Sequence, residues 1–420
     1  MDVRRTMVSS ASALLLALAA CAPVAGKDAA VSTAPAGEQR YPSGPNWIGD
    51  RDSYSAGVLS AGDLNGDGMD DLVVDMAHNP ELSAGGYAGT RVLLSPFEGG
   101  SLEARAHARV GGQSEFESPP AAIGDSTGDG LDDLVEGPYL YSGIEAGEIP
   151  EADASLTGII ELYRPCALAG HAGYCAAEGF WSPDGTTALL EPRLRTTVVT
   201  LARGFSNVVP WETEDGLELW TVGFEDQLSK TTLLSVAAAP VDPATLPQTT
   251  WELSGGMMAL DQLAGDLTGD GLPDILGTIE DSDSGTQDVF AGLTLGEGEA
   301  EPVAVLHVGA EPGNTSLAVG DFDGDGSQDL AIGSAPDYRV QRVFVFRGPL
   351  TGELTQADAD REIILAAGEL QDGGGFGSAL AAGDFDGDGR DDLAIGEPGY
   401  ASAEGPHAGR TWISWGAELD

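Results

Sequence analysis

Gly383-Asp384-Phe385-Asp386-Gly387-Asp388-Gly389-Arg390-Asp391-Asp392-Leu393 holds the pattern on which the fold reading turns. The same phrase stands at Gly62–Leu72, Gly124–Leu134, Gly265–Ile275 and Gly320–Leu330. A worn copy lies at Trp211–Leu219, where Asp215 and Gly216 survive but most oxygen-bearing side chains are gone. The six first positions are 63, 125, 211, 266, 321 and 384. Recurrence at such a period is the mark of a propeller, solenoid or array.

The surroundings repeat with the loop. An apolar segment precedes it, as in Phe376–Leu380, and a short apolar strand follows, as in Leu393–Gly396. Third strands are expected at Arg91–Leu94, Gly158–Tyr163, Arg342–Phe346 and Thr411–Trp415. Fourth strands are expected at Thr250–Leu253, Val303–Val308 and Glu362–Ala366. Four short strands per unit compose a propeller blade. The chain stops after a third strand, and Asn46-Trp47-Ile48-Gly49 lies where a fourth would precede the first cassette. The expected fold is therefore all-β: a β-propeller of four-stranded blades over 46–420, closed by the N-terminal strand. Six blades are counted, with seven as the alternative. The longest gap between loops contains Cys166 and Cys175 and reads as an insertion. An open solenoid would need distinct capping repeats, and none is evident.

These cassettes resemble FG-GAP repeats, the units of the integrin alpha-subunit propeller and of many bacterial surface proteins. Phe376-Gly377 matches the Phe-Gly of that family. Ile332-Gly333-Ser334-Ala335-Pro336 and Ile395-Gly396-Glu397-Pro398 match its Gly-Ala-Pro turn loosely. The third copy departs from the pattern in lacking ligands.

Calcium takes six to eight oxygen ligands, and alternate acidic positions followed by a fourth acid supply them. Positions one, three, five and nine offer side chains, and position seven offers its main-chain carbonyl. The five sets are Asp63, Asn65, Asp67, Met69 and Asp71; Asp125, Thr127, Asp129, Leu131 and Asp133; Asp266, Thr268, Asp270, Leu272 and Asp274; Asp321, Asp323, Asp325, Ser327 and Asp329; and Asp384, Asp386, Asp388, Arg390 and Asp392. Glycine at position six, Gly389 in the last copy, permits a turn with positive φ. An EF-hand needs an acid at position twelve and a helix after it. Here position twelve is Val74, Glu136, Gly277, Ile332 or Ile395, and strand formers follow. Up to five calcium ions are expected. Aspartate and glycine fill ordinary turns too, but five copies in register are not explained that way.

The N-terminus reads as an address. Arg4 and Arg5 precede the apolar run Ala11–Ala20, which is too short to span a bilayer. Leu18-Ala19-Ala20-Cys21 resembles the lipobox of bacterial lipoproteins. It implies a signal peptide over 1–20, a lipid on Cys21 and a membrane anchor, since two or three acyl chains hold where one does not. Ala22 follows the cysteine in place of aspartate, which in that family implies sorting to the outer membrane. An ordinary secretory signal with an incidental Cys21 is the plainer alternative. Residues 21–45 then form a flexible tether rich in Ala, Pro, Gly and Ser. In the exported compartment Cys166 and Cys175 are expected to form a disulfide, two unrelated thiols being the alternative.

The formal net charge is −49, and Lys27 and Lys230 are the only lysines. Such a chain repels nucleic acid and attracts divalent cations, basic partners or neutral glycans. The histidines, His78, His107, His171, His307 and His407, show no metal-ligand spacing, and no nucleophile elbow or phosphate loop is present. Trp412 and Trp415 read as core residues. The expected function is a non-catalytic envelope lipoprotein that binds a protein or glycan partner for adhesion or scaffolding. The alternative is a calcium-dependent polysaccharide lyase or glycoside hydrolase on the same scaffold.

Overall fold

Leu393, Ala394 and Ile395 form an apolar run without alternation, as do Leu330, Ala331 and Ile332, and Leu72, Val73 and Val74. A strand with such a run must be covered on both faces. In the computed structural model all nine side chains are fully buried. The description covers residues 38–419 apart from 50–54, 77–88, 111–119, 123–124, 126–128, 137–138, 143, 145, 150–153, 156–163, 169–170, 177–178, 184–194, 201–204, 214–215, 224–226, 234–247, 254–256, 282–285, 296–298, 311–314, 335–341, 367, 370, 372 and 404. Between residues 148 and 263 the backbone alone is described, with Trp251 as the exception.

The chain is all-β. Each intact loop joins the first two strands of an antiparallel meander. Asp384–Asp392 connects Ala379–Gly383 to Asp392–Glu397, which pairs onward with Arg410–Ser414. Asp321–Asp329 connects Thr315–Gly320 to Asp329–Ser334, followed by Arg342–Phe346 and Arg361–Ile363. The first meander runs through Ser55–Gly62, Asp71–Met76, Thr90–Leu93 and Ala108–Val110. The second uses Ala121–Ala122, Asp133–Glu136, Tyr139–Ser142 and Ala154–Ser155. The third strand of this unit is Tyr139–Ser142, not the expected Gly158–Tyr163, which lies outside the described residues.

The long gap between loops holds more than an insertion. Arg164–Leu168, His171–Ala176, Gly179–Pro183 and Arg195–Thr200 form a four-stranded antiparallel sheet of their own. Sequence reading misses it because its hairpins carry no aspartate phrase. Cys166 stands in register with Gly173, and Cys175 with Arg164; the cysteine side chains lie outside the described residues. The worn copy belongs to the next meander, Phe205–Thr213, Gly216–Gly223, Gln227–Leu233 and Gln248–Leu253. Met257–Leu263, Ile275–Asp281, Thr286–Leu295 and Glu299–Ala310 make another.

Asn46–Ile48 pairs antiparallel with Arg410–Ser414, so the N-terminal strand is the fourth strand of the C-terminal meander, as expected. Glu38–Arg40, inside the stretch read as tether, is also a strand and runs parallel to Arg361–Ile363. Segments of other units reach back in the same manner. Gly100–Ser101 pairs with Asn46–Ile48, Gly147–Ile149 with Ala108–Val110, and Gly352–Thr355 with Glu299–Ala310, all parallel. The stretch read as a signal peptide, and Cys21, lie outside the described residues. No helix among the described residues is long and apolar enough to cross a membrane.

Packing follows from the doubly buried strands. Leu330 and Ile332 sit in one core with Leu306 and Val308, whereas Ala331 faces the next, with Leu393 and Ile395. Ala394 faces a third core, shared with Leu72, Val74 and Trp47. Val73 turns into a fourth, with Leu134 and Tyr141. Each such strand therefore divides two cores. Each fully buried Leu or Ile contributes roughly 1.5–3 kcal/mol. Trp412 is buried within its strand, and Trp415, one residue past the strand end at Ser414, packs partly buried against a core.

Candidate metal centre

Position one is the pivot of every intact loop. Asp384 Oδ1 accepts the N–H of Gly387 at 2.8 Å and of Asp388 at 3.1 Å, and Oδ2 accepts that of Gly389 at 3.0 Å. Asp63 repeats this with Gly66, Asp67 and Gly68, and Asp266 with Gly269, Asp270 and Gly271. Asp321 holds Asp325 and Gly326, and Asp125 holds Asp129 and Gly130. One carboxylate thereby curls the main chain around itself. The tight curl requires left-handed backbone at position six, and Gly389 has φ +87°.

Positions three and five complete the curl. Asp386 Oδ1 accepts the N–H of Asp388 at 3.1 Å, and Asp388 Oδ1 that of Arg390 at 2.9 Å. Asn65 and Asp67 repeat these bonds to Asp67 and Met69, and Asp323 and Asp325 to Asp325 and Ser327. Asp129 and Asp270 hold Leu131 and Leu272. Thr268 instead bonds Asp274 through its hydroxyl at 3.1 Å. Thr127 lies outside the described residues. Carboxylate oxygens of Asp321, Asp323 and Asp325 fall within 4.8 Å of one another, as do those of Asp384, Asp386 and Asp388.

Position nine is buried. Asp392 Oδ2 accepts the N–H of Phe385 at 3.0 Å, and Oδ1 that of Gly416 at 2.7 Å. Asp329 bonds Phe322 and Gly348 in the same way, and Asp71 bonds Leu64 and Ser95. The sequence reads this aspartate only as a ligand; it is also the strut that ties the loop to the turn after the third strand. Burial lifts the carboxyls of Asp71 and Asp392 to about 7 and that of Asp329 to about 6, with loop aspartates adding to the rise. Asp274 is raised by burial too, and Asp133 is fully buried. A buried carboxylate at position nine beside the more exposed ones of positions one, three and five fits a hard cation, whose charge would offset that penalty.

Position eight was assigned no role from the sequence. Asp391 Oδ2 accepts the N–H of Asp321 at 2.8 Å, and the Asp391 N–H returns to the Asp321 carbonyl at 3.0 Å. Asp132 makes both bonds with Asp63, and Asp70 with Asp384, all at 3.0 Å. Three of the five loops, those beginning at Asp63, Asp321 and Asp384, are thus clasped by the one that follows. The glycine before position one makes room for the clasp. A Cβ on Gly383 would lie 2.7 Å from Asp70 Oδ2, and one on Gly320 the same distance from Asp391 Oδ2. Gly383→Ala is expected to cost about 1–3 kcal/mol by overpacking, read as a lower denaturation midpoint at unchanged slope.

Two further charged groupings lie outside the loops. His307 Nδ1 meets Asp288 at 2.8 Å and Nε2 meets Glu353 at 2.6 Å, joining neighbouring meanders at the surface. The Arg410 guanidinium lies between the rings of Tyr400 and Trp412 and pairs with the buried Glu397 at 2.8 Å. With both imidazole nitrogens engaged, His307 leaves none for a metal.

This loop-and-strand unit defines a repeat class. The family described as FG-GAP repeat matches residues 376–414, and the FG-GAP-like repeat matches 248–332. The chain carries FG-GAP repeats and is homologous through them to integrin alpha subunits. It is 35% identical to Integrin alpha-PS5 of Drosophila melanogaster over 158 residues, covering 35% of this chain and 16% of that protein. Integrin alpha-PS2 of the same organism is 38% identical over 102 residues, 23% of this chain and 7% of that one. Phosphatidylinositol-glycan-specific phospholipase D of Rattus norvegicus is 34% identical over 109 residues, 24% of this chain and 13% of the other. The matches therefore span less than a fifth of these relatives' length.

Proposed function

We propose that this chain is a calcium-stabilised, seven-bladed β-propeller of the bacterial cell envelope, anchored by lipid on Cys21, that binds a protein or glycan partner without catalysis of its own. The carrying observation is the identical curl of five loops around their first aspartate. Calcium would be held by the side chains of positions one, three, five and nine and the carbonyl of position seven. It would neutralise carboxylates that otherwise repel one another.

Seven four-stranded meanders among the described residues favour seven blades over the six counted from loops. The shared core of Trp47, Leu72 and Ala394, with the Asp70–Asp384 clasp, supports a ring closed between the last blade and the first. Homology to integrin alpha subunits favours binding over the lyase or hydrolase alternative. The acidic surface favours a basic or neutral partner over nucleic acid. A disulfide between Cys166 and Cys175 would add about 2–3 kcal/mol at most.

Two measurements test this reading. Metabolic labelling with a radioactive fatty acid should mark the chain and lose the mark in Cys21→Ser; an unlabelled wild-type chain contradicts the anchor. Capture of envelope extract on the purified chain should retain a protein or polysaccharide in calcium and release it in chelator. Binding indifferent to chelator contradicts the calcium-dependent surface, and turnover of a polysaccharide to unsaturated products would favour the enzyme.

A further inference from the structure

We propose that Asp70, Asp132 and Asp391 are positioning residues that couple the metal loops, so that four loops fill as one linked series and the fifth fills separately. The inference rests on the calcium reading above.

Three junctions have the same build. The first ligand of one loop and position eight of the next exchange two hydrogen bonds: Asp321 with Asp391, Asp384 with Asp70, and Asp63 with Asp132. The direction is constant, because each loop reaches to its predecessor. The order runs 321, 384, 63, 125 and crosses from the C-terminal to the N-terminal part of the chain. A second contact follows the same order. Position-seven side chains lie over the position-four glycine of the preceding loop, Arg390 over Gly324, Met69 over Gly387 and Leu131 over Gly66.

The loop at 266 departs from this. Its own position eight is Pro273, and the worn copy that precedes it offers no first aspartate to clasp. Toward the loop at 321, Gln328 takes the position of the clasp against Gly265. Position seven of the 321 loop is the short Ser327, and Pro349 stands against Gly269 in its place.

The consequence is thermodynamic. Calcium must find the first aspartate oriented, and the clasp fixes the main chain on both sides of that residue. Filling one loop orders its position-eight residue and hence the first ligand of its predecessor. Two sites sharing one ordered element are coupled, and the coupling is reciprocal.

The test is calcium titration of the full chain with glycine labelled in nitrogen-15, following Gly326, Gly389, Gly68, Gly130 and Gly271 as reporters of the five loops. In the wild type the first four should shift together and Gly271 at its own midpoint. Asp391→Ala should raise the midpoint of Gly326 by roughly tenfold, the size expected on losing a hydrogen bond to an ionised carboxylate, and leave Gly271 unmoved. Asp391→Asn should restore most of it, because its carbonyl oxygen still accepts the Asp321 N–H while the charge is gone. Equal losses in the Ala and Asn variants would show a charge effect and overturn the clasp. Five independent wild-type midpoints would overturn the linked series whether or not the variants fold. A wild-type chain with no calcium response would overturn the calcium reading itself, and the coupling with it.

Discussion

Chelating calcium lowers the unfolding temperature of the full chain by about 10 °C relative to 10 mM free calcium. Extracellular calcium modules bind at roughly 0.1–1 mM, so each site then gives about 1.4–2.7 kcal/mol. Five sites give roughly ten kcal/mol, set against an unfolding entropy of about 2.1 cal/mol/K per residue. The pH dependence has a definite sign. Asp71, Asp329 and Asp392 have folded values of about 7, 6 and 7 against an ordinary 3.8. In the metal-free chain their contribution is therefore full below about pH 4 and is lost as pH rises through 6 to 7. Chelated protein melts higher at pH 5 than at pH 8, and the calcium increment is larger at pH 8. Scanning calorimetry with and without chelator at the two pH values measures both; equal melting in all four conditions contradicts the metal's structural role.

Removing the N-terminal strand has the next largest effect. Trp47 is 1% exposed, donates its indole N–H to the Glu98 carbonyl at 2.9 Å, and meets the Phe97 ring edge-on at 5.0 Å. Trp47→Ala should cost about 3–5 kcal/mol as a large-to-small core change, measured by urea unfolding. Deleting the chain through Gly49 removes that residue and also uncovers the edge of Arg410–Ser414, which Asn46–Ile48 covers. An uncovered edge invites pairing with another chain, so the truncated protein should elute at a larger size than the full chain. A truncation that elutes no larger than the full chain and loses less than about 1 kcal/mol denies the strand its closing role.

The repeats were open to sequence reading because their chemistry is local. Position one organises its own loop, and the apolar runs after it need only their residue types to be recognised as doubly buried strands. Even the pairing of Asn46–Ile48 with the last unit could be read, since that cassette supplies three strands of its own and Asn46–Ile48 stands where a fourth is needed. What escaped depends on neighbours. The sheet over 164–200 has no aspartate phrase, so nothing in its composition separates a blade from an insertion. Asp70, Asp132 and Asp391 look like surplus acid until the preceding loop is set beside them. The same holds for Gly320 and Gly383, whose lack of a side chain matters only because another loop's carboxylate occupies the space. Glu38–Arg40 carries no apolar signal, and its order comes from the Arg361–Ile363 edge. A visible cue for the clasp was present in the doubled aspartates Asp70-Asp71, Asp132-Asp133 and Asp391-Asp392, broken at Pro273 and Gln328.

The most direct measurement is a crystal structure of the chain grown in calcium, with an anomalous-difference map. The prediction is a peak in each of the five loops, with oxygen ligands from positions one, three, five, seven and nine at about 2.3–2.6 Å. Loops that hold only water at saturating calcium, or peaks lodged elsewhere, would contradict it.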